Sequence, residues 1–598
     1  MNKIIPLFGV SFLISSSGCS PQSHSRETLL NTPLAARVAA ALPMSDKMPS
    51  TLRQKSSKKK LIKKASRVAE KASGVSACLP SETPFGGGHG TARDPYLICS
   101  ATQWNAMNGK ALFFKLASNI SFEGEQVSTI ESFKGWLDGA DFALYGFDLQ
   151  DMAFIQTIES YAVIRRIVLK NGRAQYEGFH GGPAAIFVIE NNGVIEDLHV
   201  DRTVSLELEA APEWDRYGVL ALNVGMVAAQ NRGTLERVFV AGTLKGRNAF
   251  RVGGVVGMQE GRIFDSLFSG SIDLPRGVHI GGIAGQLREG GKIIGARLDG
   301  SQIRGSLHLG GVVGSVEYGD ISNVHGAGTE LLGERFIGGV AGTLLKGTVH
   351  DINLKVSAYG RDQVGGVIGR MDHPRASVYD ASIEFQGGGG ASWAELLRGG
   401  AFGGLVGALY EGTLENSKVV GEVSTWARGD IGGAVGYLGV PGRSSPRGAE
   451  VHHVSSRARV QGAGRVGGLV GSLFGVVSDS KIESLEVSCR NSYGDGSVSS
   501  VGGVAGLFGG KLIRTRSSTV LSSVGCPEPQ GLVGAQVSRV SQEDIVHSYY
   551  DHRIAGLSSE PGLGALMHSI ERSPAGATSQ LPRVPDTGVF RLLPRLQY

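Results

Sequence analysis

Val252-Gly253-Gly254-Val255-Val256-Gly257 is one copy of a unit, apolar–Gly–Gly–apolar–apolar–Gly, whose recurrence decides how this chain folds. The unit returns with Gly281, Gly282 and Gly285, with Gly310, Gly311 and Gly314, and with Gly338, Gly339 and Gly342. It continues with Gly365, Gly366 and Gly369, with Gly403, Gly404 and Gly407, and with Gly432, Gly433 and Gly436. The last full copies carry Gly467, Gly468 and Gly471, then Gly502, Gly503 and Gly506. Degenerate copies flank them at Val224-Gly225 and Gly531-Leu532-Val533-Gly534. The first glycine of each full copy follows the last at steps of 28, 29, 28, 27, 38, 29, 35 and 35 residues. Self-similarity at a period near 28 is the mark of a repeat architecture.

A second register runs in phase with the first. Eight to ten residues after the opening glycine stands another glycine, often with Asp or Asn four residues on. Examples are Gly193 with Asp197, Gly261 with Asp265, Gly319 with Asn323, Gly347 with Asp351, Gly412 with Asn416 and Gly475 with Asp479; Gly233 and Gly510 keep the spacing with Arg237 and Arg514. A unit of this length holds two or three short strands and cannot bury its own apolar face. Stacked copies can, each pairing with the next at about 4.8 Å. Glycine at fixed places suits either turns needing positive φ or close backbone approach between layers. The expected fold is therefore all-β: a parallel β-solenoid, a right-handed β-helix by first choice, of about twelve or more glycine-rich coils. A propeller is the second choice, needing longer, four-stranded units.

Composition agrees. Glycine is 90 of 598 residues, about twice the usual share, and the chain is 41% hydrophobic, which argues against disorder along its whole length. The net charge of +5 is an average over unlike parts. Between Asp46 and Lys71 stand ten Lys or Arg and two acids, so the remainder is slightly acidic. A nucleic-acid groove along the repeats is not indicated.

Lys3, the apolar run Ile4–Ile14 and Ser15-Ser16-Ser17-Gly18-Cys19 read as an export signal over residues 1–18, too short to span a bilayer. Gly18-Cys19 resembles the end of a lipoprotein signal box, which makes Cys19 the candidate lipidation site and membrane anchor. Ser16 departs from the Leu usual there, and the alternative is ordinary cleavage releasing a soluble protein. Residues 19–76 read as a basic tether, disordered and lipidated at its start, 77–184 as opening coils, 185–556 as the repeat solenoid and 557–598 as a Pro-containing tail. Four cysteines remain, expected as the local disulfides Cys78–Cys99 and Cys489–Cys526 in an oxidising compartment.

The repeat Phe402-Gly403-Gly404-Leu405-Val406-Gly407, followed by Gly412-Thr413-Leu414-Glu415-Asn416-Ser417, resembles the GLUG repeat of bacterial surface proteins, as does Val466–Gly471. The Gly90–Ile98 opening and the closing Ser548-Tyr549-Tyr550-Asp551 are similar to parts of such proteins, so the resemblance covers about 85–555. It implies a surface lipoprotein at the outer membrane, or a secreted protein if unlipidated, and says little about activity. GLUG repeats also accompany metallopeptidases that cleave immunoglobulin A, but this chain has no HExxH, so peptidase activity is not carried over.

Chemistry-bearing motifs are sparse. The Asp and Asn of the second register recur once per coil, as turn residues do, whereas a catalytic pair would break the pattern. Histidines, His279, His308 and the pair His452-His453 among them, are scattered without metal-ligand spacing and read as solvent-exposed; no GxSxG occurs. Two insertions, Gln386–Leu397 and Leu438–Glu450, break the period and read as loops off the rod. Trp393 and Trp426 are the candidate ligand contacts, by stacking on sugar rings or packing on a partner protein. The expected function is an adhesin-like binding or structural rod, a monomer without cofactor, metal or enzymatic activity, meeting a protein or glycan ligand. The alternative is an extracellular lyase or hydrolase on a β-helix.

Overall fold

A short apolar strand followed by a tight glycine corner cannot stand alone, and here each one hydrogen-bonds its equivalent one repeat away. The computed structural model describes residues 78, 84–177, 182–209, 221–389, 399–441, 448–490, 499–537 and 544–555, all within one compact unit spanning Lys64–Tyr598. Among them, 55 strands join in one sheet, and every pairing is parallel. The fold is a parallel β-solenoid. The signal segment, Cys19, the tether, Trp393 and the tail lie outside the described residues.

One column of strands shows the stacking. Ile130, Ile155, Val188, Ala228, Val256, Ala284, Val313, Ala341, Ile368, Val406, Val435, Val470, Ala505 and Val533 pair in succession. The glycine column runs beside it through Gly225, Gly253, Gly281, Gly310, Gly338, Gly365, Gly403, Gly432, Gly467 and Gly502. The degenerate copy at Gly225 is thus a full member of the stack. A regular coil carries five short strands rather than two or three. In one these are Ala249–Gly253, Val256–Gln259, Arg262–Phe264, Leu267–Phe268 and Ser271–Asp273.

Alternation along each strand sends every second side chain inward. Val252, Ile280, Leu309, Ile337, Val364, Phe402, Ile431 and Val466 are fully buried, each stacked on its equivalent, and one cluster of buried side chains runs from Phe85 to Ala555. Amides enter this interior as a ladder. Asn191 Nδ2 donates to Asn231 Oδ1 at 2.7 Å, and Asn231 Nδ2 to Gln259 Oε1 at 2.8 Å.

The glycines are required by close approach, not by left-handed turns. At Gly253 a Cβ would sit 2.0 Å from the Val256 carbonyl oxygen, at Gly254 2.2 Å from the Phe268 ring, and at Gly257 2.4 Å from the Val224 nitrogen one coil back. The second glycine register is also a column of contacts: a Cβ on Gly233, Gly261 or Gly347 would meet a carbonyl oxygen of the preceding coil within 2.0 Å. Among the second-register glycines Gly347 and Gly412 also carry positive φ, 119° and 118°, but at this register the left-handed turn itself falls on the residue four further on, at Asp197, Arg237, Asp265, Asn323, Asp351, Asn416, Asp479 and Arg514, with φ between 44° and 56°. Asn and Asp tolerate this left-handed conformation best among non-glycine residues, which accounts for their recurrence at one register.

Aromatic side chains fill the interior near both ends of the described stack. A short helix, α1 (Ala101–Asn105), is capped by Ser100 and buries Trp104, whose ring meets Phe154 edge-on at 5.7 Å. In the last described coil a Cβ on Gly531 would enter the ring of Tyr550, the same contact that Gly254 makes with Phe268 in mid-stack.

Both expected disulfides are present, with Cα–Cα distances of 6.1 Å for Cys78–Cys99 and 6.2 Å for Cys489–Cys526. Such bonds belong to an oxidising compartment outside the cytosol. Replacing Cys489 and Cys526 by serine is expected to cost about 2–4 kcal/mol, because the bridge closes a long loop of the unfolded chain. Urea denaturation of this variant beside wild type checks that; equal midpoints would mean that the bridge constrains nothing.

The two insertions begin later than the period suggested. Gln386–Gly389 continues the strand Ile368–Gly389 and pairs with Glu422–Thr425, while Leu438 and Glu450 both lie in strands. Extended chain at these positions gains ladder hydrogen bonds that a loop would forgo.

Candidate binding stripe at the glycine corner

The residue before each apolar–Gly–Gly unit leads into a sharp corner. Asn223, Arg251, His279, His308, Phe336 and Gln363 occupy this place in six successive coils, all left-handed with φ of 54–60°. Across the corner a second column runs Gln230, Met258, Gln286, Ser315, Thr343, Arg370, Ala408, Tyr437, Ser472 and Leu507, each paired with its equivalent. The two columns touch: His308 Nδ1 lies 2.7 Å from Thr343 Oγ1, and Arg251 Nη1 lies 4.0 Å from Met258 Sδ.

Parallel stacking brings large side chains of neighbouring coils into a continuous pile. Phe250 meets His279 at 4.7 Å between centroids, His279 stacks on His308 at 4.4 Å, and His308 meets Phe336 at 4.7 Å. The Arg370 guanidinium lies 5.5 Å from the Phe336 ring and 5.1 Å from the Tyr410 ring. Tyr410 then meets Tyr437 at 5.6 Å, and Tyr437 meets Phe474 at 5.5 Å. All are partly exposed except Phe336, which is buried. The stripe therefore crosses eight coils without a gap.

Its electrostatics are set by burial and by arginines. Desolvation pushes the His279 imidazole down to about 3, helped by His308 and Arg251. It pushes His308 down to about 4, helped by Arg370 and Arg335. Both rings are neutral at pH 7. Asp430 stands in the first column two coils on from Gln363. Desolvation raises its carboxyl to about 6, against the pull of Arg465, whose Nε lies 2.6 Å away, and of the Ser472 hydroxyl. Arg335 and Arg370 are paired with Asp362 and Asp372. Among the described residues Arg251 has no carboxylate in ion-pair contact, Glu317 and Glu260 acting on it from farther away.

Five buried polar atoms without a hydrogen-bond partner lie on these two columns: Asn223 Oδ1, Arg251 Nε, His279 Nδ1, Ser315 Oγ and Gln363 Oε1. Orphaned buried groups are rare in native folds, and their concentration at one corner marks it.

Trp426, read from sequence as a ligand contact, is 59% exposed on a bulge of the strand Lys418–Gly432, where the register slips between Ser424 and Arg428. Trp393 lies outside the described residues; its segment runs between Gly389 and Gly400, whose partners in the next coil, Thr425 and Gly429, flank Trp426. The histidines correct the sequence reading. His279 and His308 are largely buried, not solvent-exposed, because the left-handed turn packs them into the corner. His452 bonds Ser478 Oγ at 2.7 Å and Glu450 Oε2 at 3.1 Å, and His453 takes the left-handed turn position. The stripe itself was missed. The available signal was that His279 and His308 stand one repeat apart at the same register, with Arg251 and Phe336 on either side.

A second concavity of about 350 Å³ lies at the next corner, lined by Arg232, Thr234, Glu260, Arg262 and Lys292. Its carboxylate is spent internally, since Glu260 Oε2 accepts from Gln230 Nε2 at 3.0 Å and from Arg232 Nε at 2.9 Å. Among the described residues no group of three or more His, Cys, Asp or Glu is placed to hold a metal ion. No described helix is long and apolar enough to cross a membrane.

No family model matches this sequence. No curated protein matches it either. Among solved structures, the chain is similar to a candidate immunoglobulin A1 protease from Bacteroides ovatus, at 14% identity and a TM-score of 0.27, over 52% of this chain and 84% of that one. A likeness this low carries no argument about fold or activity.

Proposed function

We propose that this protein is an exported, lipid-anchored rod of the GLUG-repeat kind that binds a ligand at the cell surface and performs no catalysis. One topological observation carries the reading. Segments 178–181, 210–220, 390–398 and 491–498 all join the same two strand columns, those containing Val204–Glu209 and Ala221–Gly225. The described residues on either side of these four segments thus lie along one edge of the stack, near the exposed Trp426, whereas those flanking 442–447 and 538–543 lie at another corner. A rigid scaffold with several of its longer connections beginning and ending along one edge suits recognition. The two disulfides support an extracytoplasmic site of action, and Cys19 supplies the anchor.

Two experiments test this. Fatty-acid labelling is expected in wild type and absent in Cys19→Ala; labelling that persists in the variant removes the anchor. On an array of glycans and matrix proteins the full chain is expected to retain at least one ligand class, and Trp426→Ala or deletion of 391–397 to weaken that signal severalfold. An array blank for wild type removes the binding role and leaves a spacer.

A further inference from the structure

We propose that the glycine-corner stripe is a binding site for a linear acidic polysaccharide, which lies along the coil axis from Phe250 to Phe474 with an acidic group held by Arg251. This rests on the reading of the protein as a binding rod and names the partner of a stripe on the strand column that the insertions enter.

The first argument is periodicity. The stripe repeats its side chains at 4.4–5.6 Å through eight coils, so the ligand it matches is an unbranched polymer and not a compact molecule. The second concerns which part of each ring is presented. His279 and His308 are nearly parallel, at 14°, and cover each other's faces; what they leave open is their rims. Ring rims carry the positive end of the quadrupole, and imidazole and guanidinium rims carry N–H donors. At the His279–His308 pair the line therefore offers ring rims and donors rather than free faces, whereas farther along Tyr410, Tyr437 and Phe474 are tilted by 41–52° and Asp362, Asp372 and Asp430 lie around Tyr410.

That combination discriminates between polymers. Single-stranded nucleic acid needs free aromatic faces for its bases, and beside Arg251 those of His279 and His308 are taken by each other. An extended peptide needs unpaired backbone along a sheet edge. Here the corner amides are already committed, Gly254 N–H to the Gly281 carbonyl, Gly282 N–H to that of Gly311 and Val313 N–H to that of Val340. A glycan binds through hydroxyls and acidic substituents and needs neither. Charge supplies the last step. Arg251 is a half-buried guanidinium that no carboxylate among the described residues contacts directly, Glu317 and Glu260 standing farther off, and its neighbours Asn223 and His279 each hold an unpartnered polar atom. An anionic group is the missing partner.

The solenoid itself provides substitutions compatible with the fold. Gln363 and Asn223 occupy the register of Arg251 and His279 in other coils, and Ser315 and Ser472 that of Tyr437. The test titrates the full chain with oligogalacturonates of two to twelve units, by calorimetry at low salt. The expected result is affinity that rises with length and levels off near eight units. Arg251→Gln is expected to weaken it at least tenfold, and His279→Asn and Tyr437→Ser severalfold, with circular dichroism unchanged. Carboxyl-reduced oligomers are expected to bind at least tenfold more weakly. The assignment is overturned if no oligogalacturonate binds at millimolar concentration, or if Arg251→Gln binds as wild type does. It is overturned equally if oligothymidylate or oligoglutamate binds as tightly and with the same dependence on Arg251. Binding that responds to Trp426→Ala or to loss of 391–397 but not to Arg251→Gln would sink this proposal alone and leave the binding rod standing.

Discussion

Gly310→Ala is expected to destabilise the coils around it by on the order of 3–5 kcal/mol, among the largest effects a single methyl group can have. The added Cβ would lie 1.9 Å from the Val313 carbonyl oxygen across the corner and 2.8 Å from that of Val340 in the next coil. Both obstacles are backbone, so no side-chain rotation relieves them. Moving Val313 breaks the bond from its N–H to the Val340 carbonyl, 2.9 Å long, and the disturbance passes to the next rung. Repeat stacks couple mainly through nearest neighbours. The loss is therefore expected as faster amide exchange over about 279–344, with distant coils protected as before. Gly300→Asn is the matched control. Gly300 has φ +62° with nothing within 4 Å of a built Cβ, a conformation Asn accepts, so a change within about 0.5 kcal/mol is expected. Hydrogen exchange and urea denaturation of both variants decide the matter. If alanine is as harmless at 310 as asparagine at 300, the corner is looser than the contacts require.

The second large effect is acid sensitivity centred on His279 and His308. In the folded chain their imidazoles titrate at about 3 and about 4; in the unfolded chain both titrate near the ordinary imidazole value of 6.5. Depressed folded values mean that the unfolded state binds more protons throughout the interval between them. Their contribution is complete above pH 6.5 and is lost as pH falls toward 4 and then 3, at up to about 1.4 kcal/mol per pH unit for each ring. The groups facing the pair are Arg251, Arg335 and Arg370, all cationic, and none rescues the protonated form. Asp430 acts in the opposite sense. Its folded value of about 6 lies above the unfolded 3.8, so its contribution is present at low pH and lost as pH rises through 6. Between pH 4 and 6 one of the two histidine slopes is thereby offset. Urea denaturation at pH 7 and pH 4.5 is expected to show wild type losing stability on acidification. His279→Asn with His308→Asn should lose much less, and Asp430→Asn more. Identical pH profiles for wild type and the histidine double variant would mean that the stack is not where the acid sensitivity resides.

The solenoid was legible because its signal is redundant. Gly253, Gly281 and Gly310 each meet the same backbone obstruction, so the same residue type is required once per rung and the period appears in the chain itself. The left-handed turn likewise selects Asp or Asn at 197, 265, 323 and 351, which is why these acids read as turn residues rather than catalysts. Cys489 and Cys526 were pairable by proximity along the chain. Strand count was not legible, because glycine corners and left-handed turns divide a coil more finely than its apolar runs suggest. The stripe was hidden for a different reason. Phe250, His279, His308, Phe336, Arg370, Tyr410, Tyr437 and Phe474 are of four residue types with none recurring in every coil, and they become one surface only when successive rungs bring them within about 5 Å. Periodic backbone demands are written locally in every copy and so are determined by the sequence alone. Which unlike side chains meet across rungs, how far burial displaces their protons and which polar atoms are left unpartnered depend on the stacking of coils, and only the tertiary structure decides them.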